Sequence, residues 1–76
     1  GQGYAKEAAI ASLDFAFDRL AAERVVAITF RQNVSSWGLM ERLGMKHCPE
    51  LDYDDARFPE LNPTIVYAIK REEWRR

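Results

Sequence analysis

Apolar residues follow two different periods along this chain. From Tyr4 to about Ala21, Ile10, Leu13, Phe17 and Leu20 recur at spacings of three and four, which places them on one face of an amphipathic helix. Lys6, Glu7, Asp14, Asp18 and Arg19 fall mostly off that face, and the alanines between them have the best intrinsic helix propensity. The helix start at Gly3–Tyr4 has no strong side-chain cap. Glu7 early and Arg19 late suit the helix dipole. Arg24 to Phe30 (RVVAITF) changes to a β-branched run that is apolar on both faces, which predicts a central strand covered on both sides. Asn33 is a natural N-cap for a second helix, about Val34 to Leu43, with Trp37, Met40 and Leu43 as its buried stripe. Gly44 ends that helix as a left-handed C-cap. Met45 to Cys48 predicts a short strand stopped by Pro49. Pro49 to Pro63 is a polar loop broken by prolines, and Thr64 to Lys70 (TIVYAIK) is a strand. Arg71 to Arg76 is a polar tail that carries Trp74.

The order helix–strand–helix–strand–strand predicts an α/β (α+β) fold, with the last two strands paired antiparallel across the long loop. The 76 residues suffice for one small domain, and 47% hydrophobic with 30% charged residues is the balance of a soluble globular chain. A net charge of −1, with acids and bases interspersed, gives no reason to expect nucleic acid or a membrane surface as partner. Arg75 and Arg76 are too few for a basic patch. No apolar run reaches the length of a membrane span, and the first residues do not read as a signal peptide. The single cysteine, Cys48, offers no internal disulfide, which points to a reducing, cytoplasmic compartment. The chain has no starting methionine, and a piece cut from something longer is the expectation.

Two short stretches suggest chemistry. The opening GQGYA puts glycines directly before a helix, where unpaired N–H groups and the positive end of the dipole favour an anion such as phosphate. It is not a P-loop, because the Lys-Ser/Thr pair is missing, and not a dinucleotide fingerprint, because the third glycine is missing. A flexible entry to a helix explains the same residues. In NVSSWGLMERLGM, Asn33 and Ser36 stand one turn apart at a helix start, just after a strand end, where polar side chains face any crevice the strand opens. Simple capping by Asn33 also accounts for them.

Taken together, the two stretches resemble the GCN5-related N-acetyltransferase (GNAT) superfamily. GQGYAKEA is similar to the end of its acyl-CoA pyrophosphate motif, with Gly1 and Gly3 at the two small positions. VVAITFRQNVSSWGLMERLGMK is similar to the block that follows, a strand, N-x-x-S, a helix and L-G-M. The proline-broken loop and TIVYAIKREEW resemble the branch of ribosomal-protein alanine N-acetyltransferases. The resemblance covers residues 1–76 but only the C-terminal half of a full domain, without its N-terminal strands. It implies a GNAT-like mixed sheet flanked by helices and acetyl transfer from acetyl-CoA to an amine, either a protein N-terminus or a small molecule. Carried over, Gly1, Gln2, Gly3, Tyr4 and Ala5 form the pyrophosphate cradle. Asn33 bonds the pantetheine or places the amine, and Ser36 lies near the thioester. The family often has Tyr where this chain has Met40, and a thioether cannot donate the proton a leaving thiolate takes up.

Other residues read more simply. His47 and Cys48 lack a third orienting group; His47 reads as a structural or surface histidine and Cys48 as an ordinary buried or edge cysteine. Asp52 to Glu60 does not fit a calcium loop, and no metal is expected. Asp54 and Asp55 stand where the family's acceptor site is often bordered, so they are candidates to attract a cationic amine. Trp37 and Trp74 read as packing anchors. The expected activity of these residues alone is weak or absent. The RVVAITF edge, left without a neighbour, invites self-pairing into a homodimer. The competing expectation is a non-catalytic module that binds CoA, another phosphorylated ligand or a protein.

Overall fold

A computed structural model describes residues 2–74. Helix α1 (Gln2–Asp14) is followed without a break by a π-helical turn, Phe15–Arg19. Strand β1 (Arg24–Phe30), helix α2 (Val34–Arg42) and strand β2 (Lys46–His47) come next. After a long loop with two 3-10 turns, Pro49–Leu51 and Pro59–Leu61, strand β3 (Thr64–Lys70) closes the sheet. A last 3-10 turn spans Arg71–Glu73.

The predicted single helix is therefore α-helical only to Asp14. The Leu20 N–H donates to the Phe15 carbonyl at 3.1 Å, five residues back, and Ala21 then turns left-handed at φ 56°. The wider turn delays the apolar face. Leu13 and Phe17 are buried, Ile10 is half-buried, and Leu20 is left 64% exposed rather than on the buried face that a regular helix predicts. The Trp74 indole N–H donates to Asp14 Oδ1 at 2.8 Å, and its ring lies 6.4 Å from that of Phe17, so the tail residue anchors this turn.

The second helix ends as expected. Gly44 has φ 93°, its N–H donates to the Glu41 carbonyl, and the Met45 N–H donates to Met40, the paired bonds of a Schellman stop. That turn delivers Met45 into the core and leaves only Lys46 and His47 in β2.

The sheet order is β1-β3-β2, and both pairings are antiparallel. β1 runs opposite β3 over its full length, Arg24 facing Lys70 and Phe30 facing Thr64. Val25, Ala27, Ile65, Tyr67 and Ile69 pack with Leu13, Phe17 and Met45 into one core, which Trp37, Met40, Leu43 and Trp74 close over. The expectation that β1 is central and covered on both sides fails. Among the described residues β1 is an edge strand, and on its outer face Val26 is 45% and Ile28 56% exposed. The central place belongs to β3, whose first six residues are all buried.

Candidate active site

The first turn of α1 is the open end of the molecule. Gly3, Tyr4 and Ala5 are exposed, Tyr4 to 78%, and a Cβ on Gly3 would meet no atom within 4 Å. No acidic side chain lies in that turn to compete for its amides. Gln2 opens the helix, while Gly1, the first residue of the expected cradle, lies outside the described residues.

The N-terminus of α2 is built differently. The chain reverses after β1 through an Asn33 N–H bond to the Phe30 carbonyl, and Asn33 Oδ1 accepts the Ser36 N–H at 3.3 Å. Asn33 is thus the N-cap that the sequence predicts, with its carboxamide N–H₂ left to donate. Ser36, one turn on, is half-buried and faces a groove of about 310 Å³ between the two helices. Ala9, Ser12 and Leu13 of α1 form one wall of that groove. Ser36, Leu39, Met40 and Leu43 of α2 form the other, with Val25 and Ala27 of β1 as the floor. It is an apolar channel with hydroxyls from Ser12 and Ser36, and Ser12 Oγ donates to the Ala8 carbonyl at 3.0 Å. The structure therefore brings Ser36 and Met40 into one groove with α1. Gly3 to Ala5 stand on the same helix, toward its start.

His47 is not an isolated surface histidine. Its Nε2 lies 2.8 Å from Asp52 Oδ2, and its ring stacks on Tyr67 with centroids 5.4 Å apart. Asp52 Oδ1 accepts the Val66 N–H at 2.9 Å. Burial works against the Asp52 charge, but the Val66 N–H, His47 and the more distant charge of Arg31 outweigh it and hold the carboxyl below its ordinary value. The Tyr67 hydroxyl donates to Glu41 Oε2 at 2.7 Å. Burial first, then Glu41, push its pKa up to about 12. The sequence gives little sign of these pairs. Asp52 follows His47 across a Pro49 turn, and Glu41 and Tyr67 are 26 positions apart. They meet only because the β2–β3 register sets His47 beside Tyr67 under α2.

Of the acidic candidates in the loop, Asp55 is bound by Arg57 at 2.8 Å, while Asp54 is exposed. Cys48 is half-buried, with its thiol 3.6 Å from the Lys46 carbonyl. Among the described residues no group of three or more His, Cys, Asp or Glu is placed to hold a metal, and no helix is long and apolar enough to cross a membrane.

The structure thus sets a helix with an open first turn, an apolar groove beside it and a capped second helix together, and comparison with known proteins gives the family. The family model described as "Acetyltransferase (GNAT) domain" matches residues 1–46, and the chain belongs to that family. It is 35% identical to the FsC-acetyl coenzyme A-N(2)-transacetylase of Aspergillus fumigatus, over all of this chain and 33% of that enzyme. It is 32% identical to the uncharacterized N-acetyltransferase YnaD of Bacillus subtilis, over 96% of this chain and 43% of that protein. The crystal structure of a GNAT-family acetyltransferase from Bacillus anthracis superposes with a TM-score of 0.79 at 33% identity, covering 93% of this chain and 43% of that one. The chain thus spans less than half the length of these relatives, and its helices and antiparallel strands form a partial GNAT fold.

Proposed function

We propose that this chain is the C-terminal half of a domain that moves an acetyl group from acetyl-CoA to an amine, in the branch that resembles the ribosomal-protein alanine N-acetyltransferases. The observation that carries this reading is the unobstructed first turn of α1, at the head of an apolar groove floored by β1. Backbone N–H groups of Gly1 to Ala5 grip the diphosphate, where the helix dipole favours negative charge. The groove takes the apolar parts of the pantetheine arm. Asn33 donates its free N–H₂ to a pantetheine carbonyl, and Ser36 lines the channel toward the thioester. The thioester supplies the activated acyl group: the amine nitrogen bonds the carbonyl carbon, the C–S bond breaks, and the proton shed by the acylated nitrogen reaches the departing thiolate. With Met40 in the groove, the thiolate's proton comes from Ser36 or water. A thiol pKa near 8.5 makes that a modest demand.

The test is a CoA titration followed by amide shifts, on the wild type and on Gly3→Asp. Space around Gly3 admits the new side chain, and a carboxylate in the first turn favours the helix while repelling a diphosphate. The expected result is saturable movement at Gly3 to Ala5 and at Asn33, with affinity at least tenfold weaker in G3D. Silence at these amides, or equal affinity in the two proteins, rejects the reading. The compartment in this proposal is the cytoplasm.

The exposed Val26 and Ile28 of β1 favour one addition, self-pairing of that edge into a homodimer. A register centred on Ala27 sets Arg24 opposite Phe30 of a second copy and brings no like charges together. A clean monomer mass in sedimentation at high concentration refutes it. An Ile28→Lys chain is the expected monomer.

A further inference from the structure

We propose that the cleft on the other side of α2 is the acceptor pocket, and that it selects an amine carrying a carboxylate, the α-amino carboxylate class. The inference rests on the acetyl-transfer reading above and names its substrate class. The cleft holds about 250 Å³ and is lined by Arg31, Trp37, His47, Ile65 and Tyr67. Helix α2 separates it from the acyl groove: Ser36 and Met40 face the groove, while Trp37 lines the cleft. Arg31 of the cleft lies two residues before Asn33, the α2 cap that the reading above sets at the pantetheine.

Each wall has a defined chemistry. The Arg31 carbonyl accepts the Trp37 indole N–H at 3.1 Å, which fixes the ring at the mouth of the cleft, and the Arg31 guanidinium makes no ion pair among the described residues. A guanidinium with no close ion pair, acting on Asp52 only at longer range and set beside an aromatic wall, is suited to bidentate capture of a carboxylate. The cleft's other polar groups are already oriented. Asp52 is ionised and accepts from the Val66 N–H, so His47 donates its Nε2–H to the remaining oxygen. In neutral His47 this fixes Nδ1 as an acceptor with no protein partner among the described residues. Stacking on Tyr67, which Glu41 holds in turn, keeps the ring in place. Nδ1 therefore receives a hydrogen bond from an N–H of the ligand's neutral amine, whose lone pair stays available, Arg31 binds its carboxylate, and Trp37 and Ile65 cover an apolar side chain. His47 acts here as a positioning residue.

Leucine and leucinamide test this directly, because they share the amine and the side chain and differ only in the carboxylate. Titrations are followed at the Trp37 indole N–H and the His47 ring signals. Leucine is expected to give saturable shifts, and leucinamide to bind at least tenfold more weakly. Arg31→Gln, which removes an exposed side chain, is expected to abolish that difference while leaving CoA shifts at Gly3 to Ala5 intact. Equal binding of the two probes, no response to leucine, or an R31Q protein that still prefers leucine overturns the proposal. A CoA response at α1 with a silent Trp37 overturns it while leaving the acetyl-transfer reading standing, whereas silence at α1 strikes that reading itself.

Discussion

β1 and β3 are both seven-residue strands rich in β-branched residues, and they pair with each other over their whole length. Yet β3 buries its first six residues, while β1 alternates and shows Val26 and Ile28 to solvent. Composition does not separate them; their place in the sheet does. β3 lies between the other two strands, with Ala68 flanked by Val26 and Lys46, whereas β1 has a neighbour on one side only among the described residues. The apolar outer face of β1 is a surface suited to contact with something else, and β3 is the structural spine.

The widest separation between the two strands is expected in aliphatic truncation. Ile69 is 1% exposed at the centre of the core, and Ile69→Ala is expected to cost about 2–5 kcal/mol in urea unfolding, from lost transfer energy and the cavity left behind. Ile28→Ala, at an exposed site on the paired strand, is expected to change stability by about 0.5 kcal/mol or less. Comparable losses at the two positions would mean that the outer face of β1 is covered in solution, which the self-paired edge also predicts.

A second test acts on the polar side of β3. Tyr67→Phe deletes the donor to Glu41 and is expected to cost roughly 1 kcal/mol, toward the low end for bonds to a charged acceptor because Glu41 is itself exposed. The same residue gives β3 an alkaline signature. Folding raises the Tyr67 pKa to about 12, so the folded state holds this proton more tightly than the unfolded chain, which loses it near pH 10. Its contribution is complete below pH 10 and is lost as pH climbs toward 12. Unfolding midpoints measured across that window are expected to fall more steeply for wild type than for Y67F.

What could be read in advance is what local chemistry decides. The Asn33 cap, the Gly44 stop and the TIVYAIK strand depend on neighbours within a turn or two, and each is where the pattern puts it. The open first turn of α1 was legible for the same reason, since glycine and small residues leave amides uncovered. Three features were not legible. Leu20 points outward because a π turn, tied by Trp74 to Asp14 sixty residues away, shifts the phase of the helix. β1 lies at an edge because sheet order is a long-range property. The His47–Asp52 and Tyr67–Glu41 pairs exist only once the β2–β3 register is set, so the cleft could not be read from spacing.

The last expected effect has the opposite sign and concerns the inner face of β1. Thr29 is 4% exposed, opposite Ile65, and its Oγ1 is buried without a hydrogen-bond partner. A buried hydroxyl that makes no bond costs its desolvation, while the methyl group of valine occupies the same place at no such cost. Thr29→Val is therefore expected to stabilise the fold by about 1 kcal/mol, raising the urea midpoint with an unchanged slope. It sharpens the contrast between the strands, because β1 would then be held by apolar contacts on its inner face as β3 is on both. A loss of stability in T29V would instead show that the hydroxyl has a partner in solution, and would place a polar contact on the strand that floors the groove between the two helices.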